Sequence, residues 1–94
     1  MNERVRFEQG TVLYSRVLHE IQAYFVKYPK PALCGQISNE LGFPLKWIED
    51  AIIHLQKKQY LRELTKAEKV VLGLSQACCV TVVNKNPKIG WTLD

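Results

Sequence analysis

Two histidines and three cysteines are the residues of this 94-residue chain best able to hold a metal or attack a substrate, and their spacing serves neither purpose. His19-Glu20 opens like a zincin motif, but Ala23 stands four residues on, where a second ligand would have to share the helix face. Cys78 and Cys79 are adjacent, too close for the two-spaced thiolate pair of a zinc ribbon, and Cys34 with two dispersed histidines offers no ligand spacing. A hydrolytic site needs a nucleophile, a base and a group that orients the base. The chain shows no such set, no GxGxxG and no P-loop. Its candidate carboxylate pair, Glu49-Asp50, points in two directions on a helix. The expectation is a protein that is not an enzyme and has no metal site and no cofactor.

Basic residues carry what chemistry is left. Thirteen Lys and Arg against nine Asp and Glu give a net charge of +4 and a pI near 9.1, which permits nucleic-acid or acidic partners without requiring them. An odd number of cysteines, two of them adjacent, fits small buried thiols in a reducing cytosol better than a disulfide framework, so a cytoplasmic location is expected.

The elements that must position these groups begin with size. A composition of 47% apolar, 23% charged and 10% aromatic side chains describes one domain over residues 1–94. A chain this short buries only about 60–65% of its unfolded surface, which makes dimerisation plausible. The longest uncharged run, residues 70–84, falls short of the roughly 20 apolar residues that cross a bilayer, so no membrane span is expected. The first eight residues hold Glu3, Arg4, Arg6 and Glu8 and no apolar run, which argues against a secretory signal.

Residues 1–10 read as an arm, with Val5 and Phe7 alternating against charged neighbours. Thr11 can cap a helix in which Leu13, Tyr14, Val17, Leu18, Ile21, Tyr24, Phe25 and Tyr28 recur at helical spacing. That stripe is wide enough for part of it to face a second subunit. Pro29 and Pro31 end the helix, since proline lacks a donor and pushes its predecessor out of the α region. A second helix over residues 32–41 turns Leu33, Cys34, Ile37 and Leu41 inward. Gly42 can close it in the left-handed conformation, and Phe43-Pro44 opens the next. The third helix, residues 44–59, places Leu45, Ile48, Ala51, Ile52 and Leu55 on one face.

Gln36-Ile37-Ser38-Asn39-Glu40-Leu41-Gly42-Phe43-Pro44, followed by the Ile48, Ala51, Ile52, Leu55 stripe, resembles the helix-turn-helix core of winged-helix proteins, in particular small bacterial and archaeal regulators. The resemblance covers residues 11–61. It implies an α+β, mainly α fold, with a third helix that lies in the major groove of DNA. The family pattern would run from residue 61 straight into a two-stranded wing, whereas residues 62–94 read as an inserted helix and a displaced hairpin. Thr65-Lys66-Ala67-Glu68 has capping-box form, and Ala67, Val70, Val71, Leu74 and Ala77 follow at helical spacing. Gly73 and the Val70-Val71 pair leave a buried strand over residues 70–74 open as the alternative. Residues 79–83 and 89–93, separated by the turn chemistry of Asn84-Lys85-Asn86-Pro87, read as a β-hairpin able to serve as the wing.

Opposite the core stripe of the third helix lie Lys46, Asp50, Ile53 and Lys57, flanked by Trp47, His54 and Lys58 on one side and Glu49 on the other. On the winged-helix reading the chain is a homodimeric, sequence-specific DNA-binding transcriptional regulator. Lys46, Trp47, Asp50 and His54 then face bases, Lys57, Lys58, Arg62, Lys85 and Lys88 hold phosphates, and Arg4 or Arg6 enters a minor groove. The competing reading is a winged-helix module that binds a protein partner, with Trp47, Ile53 and Trp91 as anchors. Glu49 and Asp50 favour it, because carboxylates near phosphates are repelled unless they accept from a cytosine amine.

Overall fold

The computed structural model describes residues 11–73 and 79–83. The chain runs α1 (Val12–Lys27), β1 (Ala32–Leu33), α2 (Cys34–Leu41), α3 (Leu45–Lys57), β2 (Leu61–Glu63), α4 (Lys66–Val71) and β3 (Cys79–Val82). It is an α+β fold, mainly helical, in which the strands make one small antiparallel sheet of order β1-β3-β2. The arm at residues 1–10, the turn and second strand expected at residues 84–93, and Leu74, Ala77 and Cys78 lie outside the described residues.

Each helix starts and stops where local chemistry provides for it. The Thr11 hydroxyl accepts from the Tyr14 amide at 3.1 Å and opens α1. At the other end the chain leaves the helix at Tyr28, just before Pro29. Gly42 closes α2 with φ +77, a conformation that strains any residue with a Cβ.

The core forms where three helical stripes meet. Tyr14, Val17, Leu18, Ile21 and Phe25 of α1 pack with Ile37 of α2 and Ile48, Ala51, Ile52 and Leu55 of α3, and Leu61 and Val80 close the sheet side. Burying one such aliphatic or Phe side chain is worth about 1.5–3 kcal/mol. The width of the α1 stripe is thus largely used inside the chain, because α1 packs on both α2 and α3. Tyr24 and Tyr28 remain half-buried, their rings 5.0 Å apart, beside Gln36, Asn39 and Glu40 of α2. The Tyr28 hydroxyl donates to Glu40 Oε2 at 3.5 Å, and burial together with the Glu40 charge raises the Tyr24 pKa.

Residues 79–82 form a strand as expected, and it takes partners that the sequence did not point to. Residues 79–82 pair with β2 through Leu61↔Val82, Arg62↔Thr81 and Glu63↔Val80, and with β1 through Ala32↔Val80 and Leu33↔Cys79. At Val80 both edges of β3 are therefore occupied, by β1 and β2. The strand following α3 is residues 61–63, and α4 sits in the connection between β2 and β3.

In α4 the capping box is formed. The Thr65 hydroxyl accepts from the Glu68 amide at 3.2 Å, and the Glu68 carboxylate accepts from the Thr65 amide at 2.8 Å. The helix ends after six residues, at a Gly73 with φ +76, short of the expected reach to Ala77. Cysteine chemistry also differs in part from the expectation. Cys79 is a buried free thiol whose pKa burial raises, as expected, whereas Cys34 is disulfide-bonded. No described helix is long and apolar enough to cross a membrane.

Candidate nucleic-acid interface

The turn between α2 and α3 sets the aim of α3. The Ser38 hydroxyl donates to the Phe43 carbonyl oxygen at 2.6 Å, and the Gly42 amide donates to the Ser38 carbonyl at 2.8 Å. Two residues later the Trp47 and Ile48 amides donate to the Pro44 carbonyl, which starts α3. Ile48, Ala51, Ile52 and Leu55 are buried against the other helices, so the opposite face of α3 must look outward.

That outward face carries Lys46, Glu49, Ile53 and Lys57, all exposed, with Lys58 exposed at the helix end. None of the three lysines makes an ion pair among the described residues. Unpaired ammonium groups on a rigid helix can hold phosphates at no cost in broken salt bridges.

Other expected contacts are placed less freely. Trp47 is half-buried, tilted against Phe43 with ring centroids 6.1 Å apart, and packs on the core. Asp50 is half-buried on the same turn. His54 lies edge-on to Tyr14 at 5.6 Å. Partial burial lowers its pKa, and the charges of Lys58 and Lys57 lower it further.

Arg62 is committed elsewhere. Its guanidinium makes a bidentate pair with Glu68, Nη1 to Oε1 at 2.8 Å and Nη2 to Oε2 at 2.9 Å, and also donates to the Glu63 carbonyl. The pair holds the Glu68 carboxyl far below the usual range, at about 2. This fork ties α4 to β2, which leaves Arg62 spoken for before any phosphate arrives. Lys85, Lys88, Trp91, Arg4 and Arg6 lie outside the described residues.

Two exposed aliphatic side chains on α3 complicate a polar reading. Leu45, expected inward, is 45% exposed because it is the first residue of the helix and overhangs the core edge, and Ile53 is 51% exposed. Helical spacing placed Ile53 correctly. For Leu45 the signal was its position directly after the Pro44 cap.

Among the described residues no three of His, Cys, Asp and Glu come together as metal ligands. His19 sits exposed on α1 with its Nδ1–H donating to the Ser15 carbonyl at 2.8 Å, remote in sequence and element from His54. No protein-family model, curated protein or solved structure matches this chain.

Proposed function

We propose that this domain binds double-stranded DNA as a winged-helix regulator, with the outward face of α3 in the major groove. The observation that carries the proposal is the set of lysines Lys46, Lys57 and Lys58, exposed and without ion pairs among the described residues, along and at the end of a helix anchored by a tight glycine turn. The order of elements supports it: a tri-helical core, then a strand pair β2–β3 leaving the end of α3, as the resemblance to winged-helix proteins expects. In this arrangement Lys46 lies at the start of α3 near the groove floor, and Lys57 and Lys58 reach phosphates at its end. Asp50 and His54 then sit where base edges pass. Regulation of transcription, and the reading of two half-sites by a homodimer, belong to the same proposal.

A second reading has its own support. Leu45 and Ile53 exposed beside Glu49 on α3 suit a protein groove better than a polyanion. Paired variants separate the two. Lys57→Glu with Lys58→Glu should lower affinity for a random duplex by more than tenfold at low salt, while Leu45→Ala with Ile53→Ala should leave it within about threefold. A duplex affinity unchanged in the lysine variant would overturn the DNA reading in favour of the protein one.

A further inference from the structure

Three cysteines, an odd set, allow one bond within the chain and one spare thiol. Cys79 is the spare, a buried free thiol in β3. Cys34 is disulfide-bonded. Count alone then names as its partner Cys78, which lies outside the described residues. The sheet names the same residue independently. Strands β1 and β3 run antiparallel with Ala32↔Val80 and Leu33↔Cys79 as partners, and the next step of that register sets position 34 against position 78. Opposed residues of an antiparallel pair lie about 4.5–5.5 Å apart at Cα, inside the roughly 4.4–6.8 Å that a disulfide spans.

The bond sits at a weak junction. Cys34 is the first residue of α2 and is 3% exposed. Strand β1, just before it, has two residues, and Gly35, just after it, disfavours the helix. Across the same turn the Leu33 amide donates to Gln36 Oε1 at 2.9 Å. The core around Phe25, Ile37 and Leu55 is packed by aliphatic and aromatic side chains, so the chain can fold with the bond open. Amides in the first turn of a helix have no intrahelical partner and favour a negative sulfur, which makes Cys34 a good leaving group when a thiol attacks the bond. Cys79 does not compete for it. That residue is matched to Leu33 in the ladder, and burial raises its thiol pKa, which keeps it protonated.

We propose that Cys34 and Cys78 form a reversible redox latch, which fastens the start of α2 to the sheet when oxidised and releases it when reduced. Glutathione disulfide serves as the oxidant. One protein thiolate attacks it and expels a glutathione thiolate, and the second protein thiolate then attacks the mixed disulfide and expels the other. Two electrons pass from the cysteines to glutathione, and the two thiol protons end on the two glutathione molecules. Reduced glutathione runs the same steps backwards. Helix α2 leads through the Gly42 turn to α3, so the latch acts on the element that aims α3. The assignment stands apart from the DNA reading, and its test uses no nucleic acid.

Thiol alkylation with peptide mass spectrometry tests it on the full chain. Under oxidised glutathione the wild type should offer one thiol to N-ethylmaleimide in denaturant, and all three after millimolar reduced glutathione. Cys79→Ser should keep the bond, and Cys78→Ser should lose it. On reduction the amides of residues 34–37 should exchange with deuterium at least tenfold faster, while circular dichroism keeps its helical signal. Three free thiols under oxidised glutathione overturn the proposal, as does a bond that maps to Cys79 or links two chains. A bond that resists millimolar reduced glutathione is a permanent staple and overturns it too. So does amide exchange at residues 34–37 that is indifferent to reduction.

Discussion

Ser38 and Phe43 are joined across the α2–α3 turn by a 2.6 Å bond from hydroxyl to carbonyl oxygen, and this link fixes the angle at which α3 leaves the core. Ser38→Ala removes the donor and should cost about 0.5–1.5 kcal/mol in urea unfolding. Gly42→Ala, which forces a Cβ into a left-handed turn at φ +77, should cost about 1–2 kcal/mol. Variants with unchanged unfolding midpoints would show that the turn is not held by these two features.

Ile52 and Ile53 are neighbours in sequence on opposite sides of α3, one buried and one half open. Ile52→Ala should destabilise by about 2–5 kcal/mol through the cavity it leaves, whereas Ile53→Ala should stay within about 0.5 kcal/mol. Equal losses would mean that Ile53 is covered.

Arg62 and Glu68 form the fork that ties α4 to the sheet, and its signature is acid-resistant ionisation. With the Glu68 pKa lowered from 4.5 to about 2, the folded state binds fewer protons than the unfolded one between those values. The fork's contribution is therefore present above pH 4.5 and is lost as pH falls toward 2. Following the Glu68 carboxyl carbon by NMR should give a midpoint near 2 in the wild type and a clearly higher one in Arg62→Ala, still below 4.5 because the Thr65 amide keeps its bond. A wild-type midpoint at the higher value would show that the fork is open in solution.

The same pairing bears on DNA. Because its guanidinium is already committed to Glu68, Arg62→Ala should change the salt slope of duplex binding by less than the ~0.9 that one phosphate contact contributes. A full unit lost would place Arg62 on a phosphate after all.

His54 sets a second pH dependence, with the opposite origin. Partial burial and the charges of Lys58 and Lys57 lower its folded pKa beneath the ordinary 6.5. Protonation is then easier in the unfolded chain, so stability falls as pH drops through 6.5. Urea unfolding at pH 8 and pH 5.5 should show this loss in the wild type, and a smaller one in His54→Gln. Identical pH dependence in both would assign the effect to other groups.

Features written in local chemistry were legible in the sequence. Thr11, Gly42 and the Thr65–Glu68 box each act within four residues, and the Ile48, Ala51, Ile52, Leu55 stripe repeats with the helical period, so each could be read without knowing the fold. Strands β1 and β2 could not. At two and three residues they carry no alternation, and they exist because β3 supplies partners far along the chain. The Arg62–Glu68 fork was hidden for the same reason, since it joins a strand to a helix rather than two positions of one helix. Val70 and Val71 misled in a different way: their spacing shows that the stripe exists, while only the fold shows that nothing within the described chain covers it.

The most direct test of the DNA reading is the affinity of the wild-type chain for a random duplex as salt is raised from about 50 to 200 mM. Lys57 and Lys58 on phosphates predict a log–log slope of roughly −1.8 for each bound chain. No binding at the lowest salt, or an affinity indifferent to it, would contradict the account.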